Sequence, residues 1–297
     1  MRIVLFGKNG QLGWELQRSL APLGEVIAMG THDQPCANFT LPSDVATTTR
    51  KLAPDVIVNA AAYTAVDKAE SNLRDAALVN STTPGMLAQV AQDLDALFVH
   101  YSTDYVFDGS GSKPWKEDAP TNPLNAYGRT KLAGEDQIRL SGCKHLIFRT
   151  SWVYGTRGSN FAKTMLQLAQ TRDTLKVIND QIGAPTGAEL LADITAHALL
   201  ATMAQPELGG IYHVSSNGET SWHGYARYVL TAARKAGLPV TVDDSNLLAI
   251  PSSNFPTPAR RPLNSRLDTN KLCTTFGLHL PDWHIGMDRM LAELLQN

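Results

Sequence analysis

The run Arg2-Ile3-Val4-Leu5-Phe6, followed at once by Gly7-Lys8-Asn9-Gly10-Gln11-Leu12-Gly13, decides the fold. Its first five residues, apolar after the arginine, read as a buried parallel strand. The helical pattern of Trp14 to Leu23 comes directly after the glycines. Those glycines are spaced G-x-x-G-x-x-G, not the G-x-G-x-x-G of the usual dinucleotide fingerprint. The physics carries over: glycines permit a tight turn and close backbone approach, and a helix N-terminus offers amide donors and a positive dipole end to a pyrophosphate. Gly7, Gly10 and Gly13 are therefore candidate cofactor contacts, the alternative being a plain strand-to-helix turn.

Outward from this stretch, strands and helices alternate. Glu25 to Met29, Val56 to Asn59, Leu97 to Ser102, Leu146 to Thr150, Lys176 to Ile178 and Ile211 to Val214 read as strands. Helices are expected over 78–94, 127 onward, 161–169 and 190–203. Such alternation predicts an α/β fold, a doubly wound parallel sheet of Rossmann-like type. From about Ser215 the pattern changes to a helix over 222–236, a loop holding Pro251, Pro256 and Pro258, and a last helix over 285–294. This predicts a smaller C-terminal substrate lobe. The division expected is 1–150 as the dinucleotide-binding domain, joined by parts of 175–214, with 151–174 and 215–297 as the substrate-binding lobe.

Composition narrows the classes. A chain of 297 residues, 43% hydrophobic and 18% charged, is that of a globular protein with a large core. A formal charge of -2 gives no general pull toward nucleic acid. Cys36, Cys143 and Cys273 lie far apart without C-x-x-C spacing, which argues against a disulfide framework or a thiolate zinc site. The first apolar run is too short for a signal-peptide core, and no stretch approaches the roughly 20 apolar residues of a membrane span. A cytoplasmic protein with no membrane partner is expected.

Candidate chemistry centres on Tyr127-Gly128-Arg129-Thr130-Lys131. Four apart on a helix, Tyr127 and Lys131 share a face. An ammonium beside a phenol stabilises the phenolate, so the tyrosine pKa is expected to fall toward working pH, where it can exchange a proton with an alcohol oxygen. Two unrelated surface residues are the alternative. Thr103 falls at the carboxyl end of a strand, where ligands gather in open α/β sheets. After the second strand, Gly30-Thr31-His32-Asp33 puts no carboxylate at the point where NAD-preferring folds bind the ribose 2′-OH. Lys8 or His32 could meet a 2′-phosphate, which tilts the reading to NADPH over NADH, although Asp33 is close by. The pair Arg260-Arg261 is a candidate diphosphate contact or a solvated basic loop. The eight histidines show no metal-ligand spacing, and no G-x-S-x-G nucleophile elbow occurs.

Together the glycine loop, Thr103, Tyr127 and Lys131 resemble the extended short-chain dehydrogenase/reductase superfamily, which acts on nucleotide sugars. Longer blocks resemble one family within it, the dTDP-4-dehydrorhamnose reductases. These are Thr-Ala-Val-Asp-Lys-Ala-Glu (64–70), Ser-Thr-Asp-Tyr-Val-Phe-Asp-Gly (102–109), Tyr-Gly-Arg-Thr-Lys-Leu-Ala-Gly-Glu (127–135), Arg-Thr-Ser-Trp-Val-Tyr (149–154), Asn-Asp-Gln-Ile-Gly-Ala-Pro-Thr (179–186) and Pro-Ala-Arg-Arg-Pro-Leu-Asn-Ser (258–265).

The resemblance implies a reductase of the C4 carbonyl of a 6-deoxy-4-keto nucleotide sugar, using NADPH or NADH, in the supply of dTDP-rhamnose for cell-surface polysaccharide. It implies that Gly10, Gln11 and Leu12 line the cofactor diphosphate, with Asn38, Phe39, Ala62, Tyr63 and Thr64 beside adenosine and ribose. Thr103 would hydrogen-bond the substrate carbonyl, Tyr127 would give the proton, and Lys131 would hold the nicotinamide ribose. Asp104 and Trp152 would face the deoxysugar nucleotide. A homodimer bridged by Mg2+ is also implied by some members, with Glu189 and Glu293 as candidate ligands; exposed helix carboxylates are the alternative.

The residues limit the reaction independently. A 4,6-dehydratase of this superfamily needs an acid-base carboxylate pair directly after the threonine, and here Asp104 is followed by Tyr105. That leaves carbonyl reduction, its developing charge held by hydroxyl donors. A 4-epimerase or an NADP-binding regulatory subunit without turnover are the other readings.

Overall fold

A computed structural model of the chain describes residues 1–295. One sheet holds β1 (Arg2–Phe6), β2 (Glu25–Met29), β3 (Val56–Asn59), β4 (Leu97–Thr103), β5 (His145–Thr150) and β6 (Gly210–Val214). Across it the order is β2-β1-β3-β4-β5-β6, and every adjacent pair is parallel. The longer helices are α1 (Gln11–Leu20), α2 (Pro42–Leu52), α3 (Thr83–Asp93), α4 (Ala126–Ser141), α5 (Phe161–Ala169), α6 (Ala188–Ala204), α7 (Trp222–Lys235) and α8 (Trp283–Leu295).

Both faces of the sheet are covered, which explains the unbroken apolar runs of its central strands. Successive strand residues point to opposite faces. Ile3 and Leu5 meet Leu16 and Leu20 of α1 and Leu191 and Leu199 of α6, while Val4 and Phe6 join Val45 of α2, Leu87 of α3 and Ile138 of α4. Strand order reverses at β1, whose neighbours are β2 on one side and β3 on the other. Such a switch point opens a crevice at the carboxyl ends of the two diverging strands.

A second cluster lies apart from the sheet. Tyr154, Tyr225, Val229, Trp283 and Met287 form one core, and Met165, Val177, Ala226 and Leu247 another. The expected sheet strand at Lys176 to Ile178 belongs here: Leu175–Ile178 pairs in parallel with Leu247–Ile250, outside the six-stranded sheet. Its apolar run is too short to show which partner it takes, and the partner strand comes from a segment that reads as loop. The helix expected over 78–94 is also modified. A π-helical stretch, Leu78–Thr82, precedes α3. This wider turn serves Asn80, fully buried, whose amide bonds both the N–H and C=O of Tyr63 and the Thr130 hydroxyl.

Candidate active site

The crevice between β1 and β3 is lined by Gly7, Gly10, Asn38, Phe39, Ala62 and Tyr63, among others. Gly10 is the N-cap of α1 and supplies no side-chain cap, so the first-turn amides of that helix stay open to an anion. Gly13 has a different duty. A Cβ there would sit 2.0 Å from the Gly7 carbonyl oxygen, so its glycine lets helix and loop touch. Leu12 packs into the sheet core and Gln11 accepts a hydrogen bond from Asn160 at 3.0 Å, tying the loop to the N-cap of α5. Thr64 is exposed at the end of the Ala60–Tyr63 segment. Asn38 accepts from the Thr40 N–H and hydroxyl, and Phe39 stacks edge-on against Phe6.

At the end of β2 the structure corrects the sequence reading. The turn Gly30 to Asp33 folds back, so Asp33 Oδ2 accepts the Gly30 N–H at 2.8 Å and pairs with Lys8. The hydrogen bonds from Lys8 and Gly30 hold the Asp33 carboxyl below its usual range. A carboxylate therefore does stand at the strand end, and Lys8 is engaged by it.

The catalytic candidates converge between β4 and α4. Asn125 caps α4 by accepting the Gly128 N–H at 2.8 Å, and Glu70 accepts the Ala126 N–H at 2.7 Å. Gly128 is required for close approach: a Cβ there would lie 2.2 Å from the Tyr105 carbonyl oxygen. This contact presses the first turn of α4 onto the Asp104–Val106 turn that ends β4, bringing Tyr127 to Thr103. Tyr105 stacks edge-on against Tyr127, ring centres 5.7 Å apart.

Lys131 is 2% exposed, one turn beyond Tyr127, but its amine end is turned inward. Nζ donates to the Tyr101 carbonyl at 2.5 Å and lies 3.2 Å from His100 Nε2. The expected fall of the Tyr127 pKa is accordingly reversed in this state. Burial pushes the phenol up to about 12, with the Thr103 hydroxyl pulling it back and the Asp104 charge adding to the rise. Burial also brings Lys131 down to about 8, against a raising influence from Glu135.

Thr103 Oγ donates to Asp104 Oδ1 at 3.1 Å and accepts the Tyr105 N–H. Asp104 is 3% exposed and its Oδ2 has no hydrogen bond of good geometry. Burial raises its carboxyl to about 7, with Ser265 and Thr103 acting to lower it. Trp152 holds a left-handed backbone, φ 50°, a strain of about 1–2 kcal/mol for a side-chain-bearing residue. Its ring stacks on Trp222 with centres 3.7 Å apart, and Trp222 Nε1 donates to Gln181. A neighbouring cleft is bounded by Tyr105, Phe161, Gln181, Trp222, Phe255 and Arg261. Arg261 is paired with Asp67 at 2.8 Å, and Arg260 borders the adjoining hollow with Asp108 and Ser252. Sequence reasoning missed Tyr105, Gln181 and Trp222 as wall residues. Tyr105 and Gln181 lie inside quoted blocks, whereas nothing local marks Trp222.

Glu189 and Glu293 stand on either side of Arg289, at 3.5 and 3.7 Å. Among the described residues no group of three or more His, Cys, Asp or Glu is placed to hold a metal ion. Nor, among the described residues, is any helix long and apolar enough to cross a membrane.

Comparison with known proteins adds the following. The profile of a family described as RmlD substrate binding domain matches residues 1–296. The dTDP-4-dehydrorhamnose reductase of Salmonella typhimurium is 57% identical, covering 99% of this chain and 98% of the relative. A crystal structure of a dTDP-4-dehydrorhamnose reductase from Clostridium acetobutylicum superposes with TM-score 0.89 at 36% identity, covering 100% of both chains. One from Bacillus anthracis, in complex with NADP, gives 0.86 at 33% identity, covering 98% of this chain and 99% of that one.

Proposed function

Because this chain belongs to the RmlD substrate-binding-domain family over residues 1–296, we propose that it reduces the C4 carbonyl of dTDP-4-dehydro-6-deoxy-L-mannose to dTDP-L-rhamnose, the last step of dTDP-rhamnose synthesis. The cofactor is NADPH or NADH, seated in the β1/β3 crevice on the open amides of α1, with Gly7, Gly10, Asn38, Phe39, Ala62 and Tyr63 against it. When bound, a reduced nicotinamide supplies the hydride that goes to the sugar C4. The chain does the rest. Thr103 and Tyr127 present hydroxyls to the carbonyl oxygen, and Tyr127 gives its proton as the oxygen becomes an alkoxide. Asp104 and the Trp152–Trp222 stack wall the sugar nucleotide, and Arg260 and Arg261 face its diphosphate.

One observation carries this reading: Gly128 presses α4 onto the Tyr105 carbonyl, which sets the Tyr127 phenol beside the Thr103 hydroxyl at the end of β4. Tyr105 occupies the place where a dehydratase needs its second carboxylate, so hydride and proton delivery is the chemistry left. A Mg2+ ion at Glu189 and Glu293 would have to displace Arg289 and complete its shell with water or a second copy, and no step passes through it. The test is to supply the 4-keto sugar nucleotide and follow NADPH and NADH absorbance in parallel. Stoichiometric loss of either is expected. Absence of loss, with cofactor bound, would favour a regulatory subunit instead.

A further inference from the structure

Behind Tyr127, three buried side chains from three elements stand in line: Asn59 at the end of β3, His100 on β4 and Lys131 on α4, exposed by 1%, 0% and 2%. Asn59 Oδ1 accepts the Ala61 N–H at 3.0 Å, which fixes the amide so that Nδ2 faces His100 Nδ1, also at 3.0 Å. On the far side of the ring, Nε2 is 3.2 Å from Lys131 Nζ. An amide nitrogen only donates, so Nδ1 has to accept. The single proton of a neutral imidazole then sits on Nε2 and points at Lys131. Only the lone pair of an uncharged amine can receive it. An ammonium there would set N–H against N–H, and no neutral ring tautomer satisfies both it and Asn59.

We propose that Asn59, acting through the His100 ring, is a positioning device that favours the uncharged form of the Lys131 amine in the cofactor-free protein. All three partners are then satisfied, with Lys131 donating to the Tyr101 carbonyl and accepting from His100. The charges around Lys131 agree. Glu135, one turn along α4, favours an ammonium, but its oxygens are bound by Arg149 of β5 and Ser102 of β4. The Asp104 charge acts on Tyr127. Burial dominates for both His100, held well below its ordinary range, and Lys131. While Lys131 is uncharged it lends Tyr127 no stabilising charge, so the phenol keeps its proton until an ammonium stands beside it.

This inference rests on Lys131 belonging to the reductase site, yet its test needs no turnover. Lysine labelled at Cε would be titrated by NMR in cofactor-free protein, the Lys131 signal being assigned with Lys131→Arg. A wild-type midpoint at or below about 8 is expected. His100→Gln offers an amide oxygen to an ammonium and adds no charge, so the midpoint should rise by about one pH unit or more. Asn59→Asp keeps an acceptor for Ala61 and turns the ring to its Nδ1–H form, so it should raise the midpoint further. A wild-type midpoint in the ordinary lysine range would overturn the proposal. So would a rise in Asn59→Asp alone, which would report only its added charge. Expected titrations in a protein that reduces no keto sugar would sink the reductase reading and leave the Asn59–His100–Lys131 device standing.

Discussion

Arg149 of β5 and Glu135 of α4 form a two-pronged ion pair sealed from solvent. Nη2 lies 2.6 Å from Oε2 and Nε 3.0 Å from Oε1, with side chains 3% and 0% exposed. Ser102, next to Thr103, donates to the same carboxylate, and the Arg149 guanidinium stacks over Phe107. The pair thus pins α4, which carries Tyr127, to β4 and β5. Removing one partner leaves a buried charge uncompensated, so Glu135→Ala should lose about 3–5 kcal/mol of stability. Urea unfolding would measure it; an unchanged midpoint would show that the pair is not structural.

Tyr127→Phe keeps the ring and its edge contact with Tyr105 but removes the proton donor. Turnover should fall by about 100-fold or more, the usual cost of losing a general acid. Cofactor binding, read by fluorescence, should be near that of the parent. Near-normal turnover would mean that another group delivers the proton.

Asp104 makes stability depend on pH. Its folded pKa, about 7, lies above the ordinary 3.8, so the folded state holds the proton more tightly and stability falls as pH rises through that interval. Asp104→Asn removes the slope. Between pH 6 and pH 8 the parent should lose about 1.4 kcal/mol relative to this variant, following half a proton averaged over two pH units. Parallel melting curves at the two pH values would check this; identical slopes would place the carboxylate in a wetter setting.

The loop glycines should separate by role. At Gly10 an added Cβ meets only the Gly7 carbonyl oxygen at 3.4 Å, an ordinary contact, while projecting beside the crevice. Gly10→Ala should fold normally and bind the dinucleotide more weakly. Gly13→Ala has no such room and should lower the melting temperature even without cofactor. Equal melting of the two variants would contradict the assignment.

Asp33 and Lys8 test cofactor choice. Asp33→Ala removes a carboxylate that would repel a 2′-phosphate and releases Lys8 to meet one. The ratio of kcat/KM for NADPH over NADH should rise. A ratio that stays constant would show that the cofactor phosphate lies elsewhere.

The sequence by itself determined the layered sheet and the chemistry of its mouth. Runs such as Ile3 to Phe6 and Val56 to Val58 are apolar on both faces because both faces are covered, and the Tyr127–Lys131 spacing is a local property of one helical turn. What tertiary structure decided depends on residues far apart in the chain. The strand at Leu175 takes its partner at Leu247, Asp33 swings back to Gly30 and Lys8, and Trp222 stacks on Trp152. The direction of the Lys131 amine belongs to the same class. Helical periodicity places it beneath Tyr127, but His100 and the Tyr101 carbonyl on a neighbouring strand draw it inward, and burial then sets its charge and that of the phenol.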